Sequence, residues 1–496
     1  MATACLLAFS LALVFGLIIT RVAIPIAARV GLTDRPDGRR KLQSAPVPVV
    51  GGVALFVGVL AALGVSLSLS ETVREVLLPG AYGGGWLLVS AALMVGLGVI
   101  DDRWPLRARF KLVGQIGAVL PALLGGFQLS AISLFGLDVQ FGVFGVPLTV
   151  LWFLAAVNAI NLLDGMDGML GTLGGIVCIA LAVMGGMVGS GFTAVTAAAL
   201  VGGLAAFLWY NRPPARVYLG DAGSTLIGLV VAALCVRGSV KGAGTAVAIL
   251  APCGLLVLPF FDTAAAVLRR TLTGRGLAAA DRGHLHHLLQ QRLSRPWALL
   301  TVGVLGCVAA TGAILATYFE NDAVAVVAAC GVIALLLARG LFGLAEVKLL
   351  ASRLRAVVRA GVLRPEATEV VGNFQGTVDW EAVWVRVAET AKRERFTAVQ
   401  LDVTAPRWQL DYHRRWEARG HTSDSPTGWR VEVPLTGHGQ TLGRLTIWGK
   451  RGEGAATDYV RGATELAVEV EVLIAALIPT SPASVPAANT NTMIAA

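Results

Sequence analysis

Long apolar runs, interrupted at near-regular intervals by short polar segments, dominate the first 340 residues. A helix needs about 20 mostly apolar residues to cross a bilayer core. Eleven stretches fit that pattern, centred on 6–27, 49–68, 84–100, 110–126, 144–160, 169–189, 193–210, 223–236, 244–268, 298–318 and 322–343, the eighth being short. The first run, MATACLLAFSLALVFGLII, lacks the basic leading segment of a signal peptide and is followed by further spans, so it reads as an uncleaved helix. Beyond residue 344 the pattern changes. RFTAVQLDV (395–403) reads as a strand after a helix over 379–393, and WRVEVPL (429–435) with TLGRLTIW (441–448) alternates as a β-hairpin. A helix over 456–477 closes this part, and SPASVPAANTNTMIAA reads as disordered. The predicted organisation is a membrane domain over 1–343, a linker over 344–378, an α/β accessory domain over 379–478 and a tail over 479–496.

Composition agrees. The 496 residues are 55% hydrophobic and 14% charged, against about 25% charged in an ordinary soluble domain. Charge is distributed unevenly between the connections. Numbered from the first span, the odd connections carry Arg35, Arg39, Arg40 and Lys41, then Arg103, Arg107 and Arg109, then Arg212 and Arg216, and finally six arginines over 269–297. The even ones are short or poor in base, with Arg237 and Lys241 as exceptions. The positive-inside rule therefore places the odd connections and the C-terminal domain in the cytoplasm and the N-terminus outside. A net charge of +9 suits anionic lipid and phosphorylated substrates; no zinc-finger spacing or long basic helix points to nucleic acid. The six cysteines all lie in apolar stretches and read as small hydrophobes.

Polar residues retained at a membrane are functional candidates, and here they form four clusters, all on the predicted cytoplasmic side. GVIDDRWPLRARFK (98–111) sets Asp101 and Asp102 at a helix end, with Lys111 beyond them. NAINLLDGMDG (158–168) carries Asn158, Asn161, Asp164 and Asp167, and residues three apart share a helix face. NRPPARVYLGDAGS (211–224) carries Asn211 and Asp221, the latter between glycines whose backbone N–H groups can approach phosphate. DRGHLHHLL (281–289) gathers His284, His286 and His287 near Asp281, where zinc is one candidate although the spacing matches no standard site, and histidine beside arginine equally suits a diphosphate anion. Acids in a basic, glycine-rich setting are what Mg²⁺-dependent phosphoryl transfer requires. An ion path through the membrane would instead place its acids near mid-span.

These motifs, in this order, resemble the polyprenyl-phosphate N-acetylhexosamine-1-phosphate transferases of glycosyltransferase family 4, over about residues 10–340. The HLHH form resembles the branch that joins UDP-N-acetylglucosamine to undecaprenyl phosphate. The resemblance implies a multi-pass enzyme of the bacterial inner membrane that starts a cell-envelope polysaccharide, its active site on the cytoplasmic face. It would transfer GlcNAc-1-phosphate to undecaprenyl phosphate and release UMP. The alternatives are another UDP-N-acetylhexosamine, UDP-MurNAc-pentapeptide, or a non-enzymatic scaffold acting through the C-terminal domain. It further implies Asp221 as the Mg²⁺ ligand, with Mn²⁺ as a substitute. Asp101, Asp102, Asp164, Asp167 and Lys111 would be catalytic; Arg40, Lys41, Asn158, Asn161, Asn211, His284, His286 and His287 would bind substrate. RKLQSAPVPVVGG (40–52) departs from the family pattern, with Gln43 in place of a histidine and Val49 in place of a base. So does the C-terminal domain, a candidate docking point for later glycosyltransferases or a regulator, and a homodimer is a further expected partner arrangement. Six of eleven tryptophans fall in this domain, either as packing or as an aromatic surface for sugar, peptide or membrane.

Overall fold

The computed structural model describes residues 1–34, 46–78, 81–134, 137–238, 246–248, 250–272, 283–351, 367–375, 379–405, 408, 410–418, 428–437, 440–450 and 456–478. Arg40, Lys41, Gln43 and Asp281 lie outside them. The chain divides into two compact units, one of residues 1–264 and 284–342, the other of residues 265–283 and 343–496.

The first unit is helical: α1 (Ala2–Val30), α2 (Gly51–Leu69), α3 (Glu71–Leu77), α4 (Ala81–Arg103), α5 (Ala108–Leu124), α6 (Gly145–Leu162), α7 (Met169–Met187), α8 (Gly191–Asn211) and α9 (Gly220–Gly238). After these come α10 (Leu250–Leu255), α11 (Val257–Leu272), α12 (Leu285–Arg292), α13 (Arg295–Tyr318) and α14 (Asp322–Ala338). Small sheets join its loops: β1 (Thr33–Asp34) pairs with β2 (Val47–Pro48), and β3 (Ala131–Leu134) pairs with β4 (Leu137–Gln140) and β5 (Ala246–Ala248). Among the described residues, eight helices are long and apolar enough to cross a membrane. The other three expected spans correspond to the 17-residue α5, the α10–α11 pair divided at Leu256, and the 17-residue α14. The protein is thus a polytopic membrane protein.

Small residues bring the helices together. On α1, Ala4, Ala8, Ala12, Gly16 and Thr20 recur every fourth position and are buried, and α1 packs along α8. Side chains of this size let backbones approach closely where lipid offers no hydrophobic driving force. Val14, Ile18, Val22 and Ile26 on the same helix are exposed, as a lipid-facing stripe should be. The innermost spans are α8 and α9, each 83% buried over its apolar window, against 22% for α1. Because α9 packs against both α4 and α6, residues at the end of α4, the end of α6 and the start of α9 converge at one end of the unit. A Cβ at Gly98 would overlap the backbone of Asp221 and Ala222, so glycine there lets α4 meet the first turn of α9.

The second unit contains helical residues 344–351 (α15), then β6 (Ala367–Gln375), α16 (Glu381–Arg393), β7 (Ala398–Ala405), β8 (Leu410–Ala418), β9 (Gly428–Gly437), β10 (Gln440–Lys450) and α17 (Ala456–Leu477). The strands form one antiparallel sheet in the order β6-β8-β7-β10-β9. The expected strand, hairpin and two helices are present. β6 falls within the stretch expected as linker, and β8 was not anticipated. Trp384, Val387, Leu401, Leu445 and Val470 are buried together between helices and sheet. Of the six tryptophans, Trp380, Trp384, Trp408, Trp416 and Trp448 are buried and Trp429 partly so, which accounts for them as packing.

Candidate active site

Asp221 begins α9, and the residues around it divide its surroundings between them. Lys111 Nζ lies 2.6 Å from Asp221 Oδ2 and 2.8 Å from Asp101 Oδ2, so one ammonium bridges carboxylates from α4 and α9. Asn161 Nδ2 donates to Asp221 Oδ1 at 2.6 Å and lies 2.7 Å from Ser224 Oγ. Of the polar stripe expected on one helix face, only Asn161 faces the start of α9 from α6: the helix ends at Leu162, so Asp164 and Asp167 lie in the loop beyond it, and Asn158 turns elsewhere. Asn158 exchanges hydrogen bonds with Gln115 of α5, its Nδ2 donating to Gln115 Oε1 at 2.9 Å and to Leu154 O at 2.8 Å.

The adjacent acids of α4 have different duties. Asp102 accepts from the backbone N–H of Asp221 at 2.8 Å through Oδ1 and of Ala222 at 3.2 Å through Oδ2. Both oxygens therefore satisfy donors that every helix start leaves free. Asp101 accepts from Leu106 N at 2.7 Å, which fixes the turn into α5, and directs its other oxygen at Lys111.

The loop 163–168 forms the next wall. Asp167 Oδ2 accepts from Ala215 N at 3.1 Å, and Asn211, buried, accepts from Gly168 N at 2.8 Å while donating to Val217 O at 2.8 Å. Asn211 thus ties two loops together. Asp164 accepts no hydrogen bond from the described residues. Burial, together with the neighbouring carboxylates of Asp221, Asp102 and Asp167, pushes its carboxyl up to about 7. Tyr218, also near Asp167, has its phenol pushed up by burial first, then by Asp167, Asp34 and Asp164.

The histidine loop abuts this wall. His286 packs so closely on Gly165 that a Cβ there would overlap its imidazole. Burial, then His287 and His284, holds the His286 ring well below the usual imidazole range, so it is neutral near pH 7. His284 and His286 are parallel with centroids 6.1 Å apart, and His286 and His287 lie 4.1 Å apart. His284 Nδ1 lies 3.1 Å from Oδ2 of Asp262 on α11.

The structure therefore brings Asp101, Asp102, Lys111, Asn161, Asp164, Asp167 and Asp221 into one acid cluster, with the three histidines beside its 163–168 wall. Asn158 and Asn211 serve as ties between elements. Sequence reasoning missed Gln115, Tyr218, Ser224 and Asp262. A polar side chain in an otherwise apolar helix was the available signal for Gln115 and Asp262.

Among the described residues no group of three or more His, Cys, Asp or Glu is arranged to hold a metal alone. The available donors are nevertheless all hard oxygens, and Asp164 carries the mark of uncompensated negative charge. That chemistry fits a cation whose remaining ligands come from phosphates.

Comparison with known proteins agrees with the geometry. Glycosyl transferase family 4 matches residues 85–239, the stretch from α4 to α9 that supplies the acid cluster. A probable undecaprenyl-phosphate N-acetylglucosaminyl 1-phosphate transferase of Bacillus subtilis is 32% identical over 311 residues, which cover 62% of this chain and 84% of the relative. An undecaprenyl-phosphate alpha-N-acetylglucosaminyl 1-phosphate transferase of Haemophilus influenzae is 32% identical over 60% of this chain and 83% of its own length. A decaprenyl-phosphate N-acetylglucosaminephosphotransferase of Mycolicibacterium smegmatis is 31% identical over 61% and 79%. With its acid cluster inside the matched segment and most of these relatives' length covered, the chain belongs to glycosyl transferase family 4.

Proposed function

We propose that this protein transfers GlcNAc-1-phosphate from UDP-N-acetylglucosamine to undecaprenyl phosphate, giving the polyprenyl-diphosphate sugar and UMP. The observation that carries this reading is the Asp221 carboxylate, held by Lys111 and Asn161 at the start of α9 inside the family-matched segment. A phosphate oxygen of the lipid attacks the phosphorus that bears the sugar. A new P–O bond forms there, the bond to the bridging oxygen breaks, and that oxygen leaves with UMP.

A phosphate monoester is already largely ionised near pH 7, so the chief task is to gather two anions in line. Lys111 supplies positive charge between Asp101 and Asp221, and Asp102 fixes the first turn of α9 so that Asp221 keeps its place. Asp221 and Asp164 would hold Mg²⁺, with Mn²⁺ as a substitute; Mg²⁺ needs only one or two carboxylates when phosphates complete its shell. Bound there, the ion offsets phosphate charge. Asn161, Asp167 and the histidine loop line the donor side, with Asn158 and Asn211 setting helix and loop positions, and Arg40 and Lys41 are further substrate-binding candidates.

The same reading gives eleven spans, the N-terminus outside, and the odd connections with the acid cluster at the cytoplasmic face. Residues 1–343 act as the transferase domain, and the connection expected over 344–378 gives up β6 (Ala367–Gln375) to the sheet of the domain that follows. Residues 379–478 form a cytoplasmic accessory domain for a downstream partner, followed by a tail over 479–496. The test is UMP release by purified protein from UDP-N-acetylglucosamine, undecaprenyl phosphate and Mg²⁺. Release that needs all three is expected; no release with any UDP-N-acetylhexosamine would overturn the assignment.

A further inference from the structure

Asp262 lies on α11, in the sequence VLPFFDTAAAVLRRTL, with 0% of its surface exposed. A buried carboxylate in apolar surroundings is costly unless donors satisfy both oxygens. Two donors do so here, and both come from the histidine loop. The Leu285 backbone N–H donates to Oδ1 at 2.8 Å, and His284 Nδ1 lies 3.1 Å from Oδ2. A carboxylate only accepts, so the proton of this pair resides on Nδ1 of His284. The ring is thereby fixed in one tautomer and one orientation, and α12 is fixed at its first residue. Nε2 remains as the ring's other polar atom. It makes no hydrogen bond among the described residues and is not sealed from solvent. His286, stacked parallel to this ring, is the side chain that closes on Gly165 of the acid-cluster wall.

We infer that Asp262 is a positioning residue for the transfer reaction: it holds His284 as the Nδ1–H tautomer and presents Nε2 as an acceptor to a hydroxyl or amide N–H of the donor sugar. Nothing in the sequence motifs singles it out, because it stands 22 residues before its partner. The same logic governs carboxylate–histidine pairs elsewhere, where the outer partner sets which ring nitrogen is free to act. The inference rests on the histidine loop belonging to the transfer site.

The experiment measures UMP release by the full-length enzyme with UDP-N-acetylglucosamine, undecaprenyl phosphate and Mg²⁺, per amount of folded protein recovered by size exclusion in detergent. Four variants are compared: Asp262→Asn, His284→Ala, the double variant, and His284→Asn. Asp262→Asn keeps an oxygen for Leu285 N–H but turns an NH₂ toward His284, which forces the other tautomer. It is expected to lower kcat/KM by about 10–100-fold. The double variant should be no slower than His284→Ala, because a residue that acts through another adds nothing once that other is gone. His284→Asn can still donate to Asp262 but offers nothing at Nε2, so it should be as slow as His284→Ala.

Full activity in Asp262→Asn, losses that multiply in the double variant, or restoration by His284→Asn would each overturn the positioning role. The last would show that the tie alone matters. A fully active His284→Ala would instead remove the histidine loop from the site, a failure of the underlying assignment and visible as such. Should Asp262→Asn not be recovered folded, the two single His284 variants decide the matter between them.

Discussion

At the start of α9, five carboxylates gather near one ammonium, Lys111. At the start of α12, one buried carboxylate is matched to one imidazole and one backbone N–H. The first arrangement carries surplus negative charge, and Asp164 expresses it by retaining its proton up to about pH 7. The second is balanced, and His286 beside it is held neutral. Surplus charge is a means of recruiting a cation and the phosphates it brings; a balanced pair is a means of fixing geometry. The two regions touch through Gly165 and His286. A transferase that must bind two anions and hold them in line needs both properties.

The largest effect should come from the centre of the surplus. Asp221→Ala removes the carboxylate on which Lys111 and Asn161 converge, and UMP release should fall by about 10³-fold, the upper range for losing one preorganised electrostatic group. Activity within a few-fold of wild type would place the chemistry elsewhere. Next in size is Lys111→Met, which leaves Asp101 and Asp221 without their shared counter-charge. A loss of about 10²-fold in kcat/KM is expected, along with a larger gain in Tm on adding Mg²⁺, since ligand binding to the folded state stabilises it. Activity equal to wild type would show that the bridging ammonium is dispensable.

Asp102 sharpens the contrast from within the acid cluster, because both its oxygens are committed to backbone donors although burial, then Asp221 and Asp101, push its carboxyl up to about 7. Its two oxygens accept from Asp221 N and Ala222 N. Asp102→Asn leaves one of those N–H groups facing an NH₂, and should destabilise by about 1 kcal/mol, as loss of a helix cap does. At about 2.1 cal/mol/K per residue, a chain of 496 residues loses about 1 °C in Tm. Asp221→Asn, which relieves repulsion, should leave Tm unchanged or raise it. Identical Tm shifts in the two variants would erase the distinction between them.

The acid cluster was legible because each of its residues stands in a short motif at a helix end: DD before a loop, NLLDGMDG after a span, GDAGS before one. The spans were legible from length and hydropathy alone, as bilayer thickness dictates. What could not be read was pairing across space. Gln115 meeting Asn158 and Asp262 meeting His284 depend on which helices pack together, and local pattern carries no such information. The strand Leu410–Ala418 was missed for a different reason. LDYHRRWEA places His413 and Arg415 on a polar sheet face, where His413 Nδ1 lies 2.7 Å from Asp402 Oδ1 and Arg415 stacks on Trp448. The alternation is broken at Arg414, which shares the face of Leu410, Tyr412 and Trp416 and bonds Glu381 of α16 while lying over Trp384.

The smallest predicted effect separates the two regions by sign. An unfolded aspartate titrates near 3.9, while Asp164 in the fold titrates at about 7. Between those values the folded chain holds a proton that the unfolded chain has released, so this group makes stability fall as pH rises from about 4 to about 7. His286 acts in the opposite direction. It stays neutral in the fold, while an unfolded histidine takes up a proton below about 6.5, so stability falls as pH drops beneath that value. Asp102, its carboxyl pushed up to about 7 by burial and then by the carboxylates of Asp221 and Asp101, adds to the Asp164 slope. In metal-free buffer two falling contributions therefore outweigh that of His286, and the wild-type Tm should decline between about pH 4 and 6.5. Asp164→Asn removes one of the two falling contributions, leaving that of Asp102 against that of His286, and should flatten the profile up to about pH 6.5. His286→Gln removes the rising limb and should leave a Tm that declines more steeply across the same window. Thermal unfolding followed by intrinsic fluorescence at half-unit pH steps measures both. Parallel profiles in the two variants would mean that the surplus charge and the neutral ring do not belong to separate electrostatic environments.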